Sequence, residues 1–262
     1  MMQVLAGKRA LVCGGSQGIG LACAIELSRQ GVEVTLVARN ESALSKAIGR
    51  LESGSGRNHG VLAADFTDPH QVQARVLNHV ERHGPIQILV NNTGGPPHGA
   101  LLDATPEDFQ RAIAMHVICN QLLVQALLPG MKSSGYGRVI NIISTSVIQP
   151  IRGLGVSNTT RGAVANWGRT MAAELAPFKI TVNNVLPGYT ATERLQTLFR
   201  AKAEKGGTNV KEVEQAVISS IPLGRLADPS EIGGVVAFLA SPAASYVTGV
   251  NLPVDGGRTA IQ

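Results

Sequence analysis

Aromatic side chains are scarce, at 3% of 262 residues. They are too few to build a base-stacking platform, and no Lys/Arg-rich run of about five to eight residues occurs. The net charge of +5 therefore reads as ordinary surface charge, with no nucleic-acid partner; a modest positive field would suit a phosphorylated cofactor or an acidic carrier. Charged residues are also sparse, at 16% against 44% hydrophobic. That balance suits strands buried on both faces, with Leu, Ile, Val and Ala filling the core. Cysteine is limited to Cys13, Cys23 and Cys119. An odd count without paired spacing argues against a disulfide framework, and all three read as small core residues. Zinc-ligand spacing and a Ser-His-Asp order are both missing, so no metal is expected. No unbroken apolar run reaches the ~18 residues of a membrane span. The opening MMQVLAGKRALVCGG lacks the basic, apolar and cleavage regions of a secretory signal. A cytoplasmic chain without a membrane partner is expected.

What is present is alternation. Segments 9–13, 32–38, 61–64, 86–90, 138–143, 180–186 and 250–253 read as strands, the last at a sheet edge. Segments 18–30, 41–51, 69–83, 106–131, 155–176, 193–220 and 229–240 read as helical, and 54–60 as a glycine- and serine-containing loop. Asp68 with Pro69, Thr105 and Asp228 stand where N-caps belong. Such alternation means right-handed crossovers and a parallel sheet covered by helices on both faces. No repeat, linker or boundary divides residues 1–262. The charged stretch 200–214 is the compositional outlier. It reads either as a solvated helix face or, within a segment at about 193–222, as a lid over a substrate cleft.

The first strand runs into Gly14-Gly15-Ser16-Gln17-Gly18-Ile19-Gly20, and a helix follows. Glycines let backbone approach a pyrophosphate closely, and the helix N-terminus offers free N–H groups and positive partial charge. In that setting the turn points to a dinucleotide. An acidic residue at the end of the second strand would hold the ribose of NAD; here Ala38-Arg39-Asn40 stands instead. Arg39 suits a 2′-phosphate, which favours NADP(H) over NAD(H), unless it is a plain surface arginine.

With these pieces in order, together with Asp65 in AADFTD, Asn91-Asn92-Thr93-Gly94, GRVINIIS, VNNVLPGYTAT and SPAASYVTGVNLPVDGG, the chain resembles the short-chain dehydrogenase/reductase family. The nearest likeness is to 3-oxoacyl-[acyl-carrier-protein] reductases. The resemblance implies a single doubly wound Rossmann-type α/β domain of about seven parallel strands. It places Asp65 by the adenine, Asn91 and Gly94 by the ribose, and Pro187, Gly188 and Thr192 by the nicotinamide half. It also implies a homo-oligomer, dimer or tetramer, in which helices 106–131 and 155–176 pair across a four-helix interface.

The family's catalytic Asn, Ser, Tyr and Lys are mostly replaced. Ser144 matches the serine, but the tyrosine and lysine positions read Ser157 and Arg161, and the asparagine position reads His116. A serine alcohol is a far weaker acid than a phenol of pKa about 10. Arg161 can hold ribose hydroxyls but cannot relay a proton. His116 and Tyr189 are candidate donors, the first otherwise a space-filling helix histidine and the second otherwise a pocket wall. His98 is a weaker candidate, and Tyr136 reads as structural.

Three functions stay open. The first is an NADP(H)-dependent carbonyl reductase or alcohol dehydrogenase, with a small-molecule carbonyl, alcohol or acyl thioester as substrate and a rearranged catalytic set. The second is a catalytically impaired NADP(H) sensor or partner subunit. The third is non-redox elimination on the same scaffold.

Overall fold

Buried strands alternate their side chains between two faces, and β1 (Arg9–Cys13) shows the result. Ala10 and Val12 enter one hydrophobic cluster and Leu11 and Cys13 the other. The computed structural model describes residues 3–54 and 58–260; of the expected 54–60 loop, residues 55–57 lie outside it.

The seven strands form one parallel sheet in the order β3-β2-β1-β4-β5-β6-β7. After β1 come α1 (Gly18–Arg29), β2 (Glu33–Ala38), α2 (Glu41–Ile48), β3 (Gly60–Ala63), α3 (Pro69–His83) and β4 (Ile88–Asn91). Asp68 and Thr105 cap their helices as expected, Asp68 accepting from the Gln71 amide and Thr105 from the Asp108 amide. The second half holds β5 (Gly137–Ile142), α6 (Gly155–Leu175), β6 (Ile180–Pro187), α9 (Pro229–Ala240) and β7 (Asn251–Val254), with β7 at the edge. Residues of α1, α2 and α9 cover one face of the sheet, and those of α3, α5 (Cys119–Ser133) and α6 the other.

Two expected helices are each divided. The segment 106–131 is α4 (Pro106–Ile113), a π-helical turn (Ala114–Ile118) and α5 (Cys119–Ser133). The turn carries His116, and the extra residue it absorbs leaves no mark on hydrophobic periodicity. The segment 193–220 is α7 (Glu193–Gly206) and α8 (Val210–Ser219). Gly207 ends α7 in the left-handed region at φ 63°, and Asn209 caps α8. The span Pro106–Ser133 corrects the reading of apolar runs. Its 28 residues include an 18-residue window of mean hydropathy 1.5, long and apolar enough to cross a membrane. It packs instead through Leu123, Val124 and Leu127 into the sheet-facing cluster.

Tyr136 is structural as expected, its hydroxyl donating to the Ala240 carbonyl at 2.5 Å. A feature the sequence hides runs across the sheet. Asn91 donates to Asn141, Asn141 to Asn184 and Asn184 to Asn251, each at 2.8 Å. The four residues are in register on β4 to β7. Each amide satisfies the next where water is excluded.

Candidate active site

Strand order reverses between β1 and β4, and in open α/β sheets ligands bind in the crevice at such a switch point. Here the glycine turn lies against β4. Gly14 has φ 61°, and a Cβ there would stand 2.4 Å from the Asn92 carbonyl. A Cβ on Gly20 would stand 2.2 Å from the Gly14 carbonyl. Only glycine permits this packing. Helix α1 starts at Gly18 with no side chain capping its amides and no acidic residue in its first turn.

Two clefts meet there. The first, of about 490 Å³, is lined by Gly14, Ser16, Gln17, Gly18 and Ile19 from the turn. Arg39, Asp65, Gly94 and Thr192 close its other sides. Asp65 accepts from the Thr67 amide, which with the nearby Arg39 charge holds its carboxyl below the usual range. Gly20 lies beneath the turn and lines neither cleft. The second cleft, of about 220 Å³, is lined by Ser144, Ser157, Arg161, Pro187, Gly188 and Tyr189. Ile19, Asn92, Thr93, Thr192 and Arg194 line both, so the two are continuous.

Ser144 sits just past β5, and its hydroxyl accepts from the Ser146 amide at 3.0 Å. Ser157 and Arg161 are one turn apart on α6 and buried. Arg161 donates to the Ile142 carbonyl at 3.1 Å. Burial, then the charge of Arg194, pushes its pKa down to about 10, so it remains a cation at neutral pH.

Two readings of the sequence need correction. The Asn91 side chain does not reach the first cleft; it is committed to Asn141, and Asn92 lines the cleft instead. His116 is 2% exposed and lines neither cleft. Its Nδ1 and the Thr93 hydroxyl are hydrogen-bonded at 2.7 Å. Burial, then Arg161 and Arg194, drives its pKa down to about 2. It is a neutral imidazole behind the site, with no imidazolium proton at neutral pH. His98 does line the second cleft, but burial followed by the charges of Arg194 and Lys202 lowers its pKa too, against a hydrogen bond donated to the Gly153 carbonyl that raises it.

A family model described as enoyl-(acyl carrier protein) reductase matches residues 14–259. The chain is 34% identical over 255 residues to a 3-oxoacyl-[acyl-carrier-protein] reductase of Vibrio cholerae, covering 97% of this chain and 98% of that one. It belongs to the short-chain dehydrogenase/reductase family. Another relative, dehydrogenase/reductase SDR family member 4 of Oryctolagus cuniculus, is 32% identical over 256 residues, or 97% of this chain and 94% of that protein. Among solved structures, L-sorbose reductase from Gluconobacter frateurii, complexed with NADPH and L-sorbose, superposes with a TM-score of 0.93 at 30% identity over the full length of both chains.

Within this short-chain dehydrogenase/reductase site, sequence reasoning missed Arg194. From the first turn of α7 it donates to the Gly95 and Pro96 carbonyls at 3.2 and 3.4 Å. It also missed Lys202 and Arg258, which reach the second cleft from α7 and from the chain after β7. The segment TATERL named the place of Arg194, but only the packing of α7 over the β4–α4 loop gives it a partner.

Proposed function

We propose that this chain is an NADP(H)-dependent oxidoreductase acting on a small carbonyl or alcohol in the cytoplasm as a homo-oligomer, with a rearranged catalytic set. The observation that carries this is the continuity of the two clefts. A glycine turn with Arg39 lines one, and Ser144, Ser157, Arg161 and Tyr189 line the other. NADP(H), when bound, supplies or accepts a hydride.

The residues fit that cofactor. Gly14 and Gly20 let the turn pack tightly beside the cleft, and the uncapped start of α1 offers its amides to a phosphate. Arg39 stands open in the first cleft for a 2′-phosphate, and Ala38-Arg39-Asn40 at the end of β2 carries no carboxylate to repel it. That favours NADP(H) over NAD(H). Thr192 and Arg194 sit where the two halves of a dinucleotide would join the clefts. Solved neighbours bound to NADPH support the reading.

In the second cleft Ser144 and Ser157 orient the substrate oxygen by hydrogen bonds. Arg161, a buried cation, stabilises negative charge as it develops there. Tyr189 is the phenol in the same cleft and supplies the proton. Helix α7 covers the cleft as a lid through Leu195, Leu198 and Phe199.

The replacement of Tyr and Lys by Ser157 and Arg161 favours a second reading, a protein that binds NADP(H) without turnover. NADPH oxidation against a broad carbonyl panel separates the two, with wild type beside the double variant Ser157→Tyr, Arg161→Lys. Turnover by wild type is expected. Turnover by the double variant alone would replace the enzyme with the cofactor-binding protein.

A further inference from the structure

We infer that the substrate of the second cleft is an anion: a small oxo compound whose carboxylate or phosphate is held by Arg152, Lys202 and Arg258. This deepens the oxidoreductase reading and rests on it.

Five cationic side chains line the cleft: Arg152, Arg161, Arg194, Lys202 and Arg258. No Asp or Glu stands among its described lining residues. The ion pairs among the described residues involve Arg9, Arg29, Arg200 and Arg225, and none of these five. Arg161 and Arg194 donate only to neutral carbonyls. Like charges gathered in a partly dry cleft repel one another more strongly than in water. A set of them without an internal carboxylate has its charge answered by whatever enters.

The cofactor answers only part of it. Arg194 lines both clefts, so its charge serves the dinucleotide as well. Arg152, Lys202 and Arg258 line the second cleft alone. They come from three separate segments: the loop before α6, helix α7 and the turn after β7. Arg258 is held in place, its guanidinium 5.1 Å from the Tyr189 ring centre. Its Nε is buried with no hydrogen-bond partner. A fixed guanidinium with an unused donor is suited to an oxyanion. The remaining wall is aliphatic, with Ile143, Leu154 and Leu198. At about 220 Å³ the cleft is smaller than a drug-sized site of ~300–1,000 Å³. These features describe a short, apolar-bodied molecule with one charged end.

The test is calorimetric titration of the full chain, with and without saturating NADP⁺, at neutral pH and low salt. The probes are two matched pairs: 4-oxopentanoate with 4-oxopentanamide, and dihydroxyacetone phosphate with dihydroxyacetone. At least one anion should bind about ten-fold or more tightly than its neutral partner, as charge-assisted hydrogen bonds predict. The stronger pair identifies the charged group. Lys202→Gln with Arg152→Gln changes two exposed residues and should remove most of that preference, as should about 0.5 M NaCl. Arg258→Gln should do the same. Equal binding of neutral partners, a preference intact in the variants, or no binding of either anion would overturn the inference. NADPH is titrated separately into the same protein. Its failure to bind would sink the oxidoreductase reading, while the anion preference would still be read without cofactor.

Discussion

Arg161 and His116 illustrate how one side chain alters the chemistry of another. Arg161 is a buried cation, and His116 stays neutral first through its own burial and then through the charges of Arg161 and Arg194. With a folded pKa of about 2 against an ordinary 6.5, the folded state refuses a proton that the unfolded state takes up. Stability therefore falls as pH drops below about 6.5, by up to ~1.4 kcal/mol per pH unit from this group. His116→Asn should flatten the acid limb of thermal stability between about pH 6.5 and 4.5; an unchanged slope would refute the assignment. Tyr189→Phe tests the proposed proton donor. It should lower kcat by ~10²–10⁴-fold while NADPH affinity holds, and full activity would move the proton source to water. Ser144, Ser157, Arg161 and Tyr189 were legible from their place along the chain. The neutrality of His116 was not, because it depends on Arg194 and on burial by segments distant in sequence.

Between the residue and the fold stand the glycine turn, the π-helical turn and the helices α7 and α8. The turn holds β1, α1 and β4 at one crevice. Gly14→Ala would force a side chain at φ 61° to within 2.4 Å of the Asn92 carbonyl. Strain and overpacking of this kind cost ~1–3 kcal/mol each. A fall in urea midpoint with at least a ten-fold loss of NADPH affinity is expected, and a variant with unchanged affinity would show that the turn does not contact the cofactor. This element could be read from glycine spacing set between the first strand and the first helix, since only glycine tolerates such contacts. The π-helical turn could not, because one inserted residue leaves the apolar pattern nearly intact. The split between α7 and α8 shows in Gly207 and Asn209 once the backbone is known. Their charged surroundings hid it.

Over the whole molecule, binding to the folded state alone raises stability by mass action. NADPH at 100 times its dissociation constant should add about 2.7 kcal/mol. For a chain of this size that is roughly 5–10 °C in Tm. NADH at the same concentration should give less, and Arg39→Ser should narrow the difference; equal shifts in wild type would remove Arg39 as the selector. The sequence alone determined the parallel seven-stranded sheet, the cofactor turn and the family, because strand burial, helix caps and glycine packing are local requirements written in residue order. Tertiary structure decided which asparagine faces the cleft, the exclusion of His116 from it, and the convergence of Arg152, Arg194, Lys202 and Arg258 upon it. Those outcomes depend on side-chain direction and on distances between segments far apart in the chain.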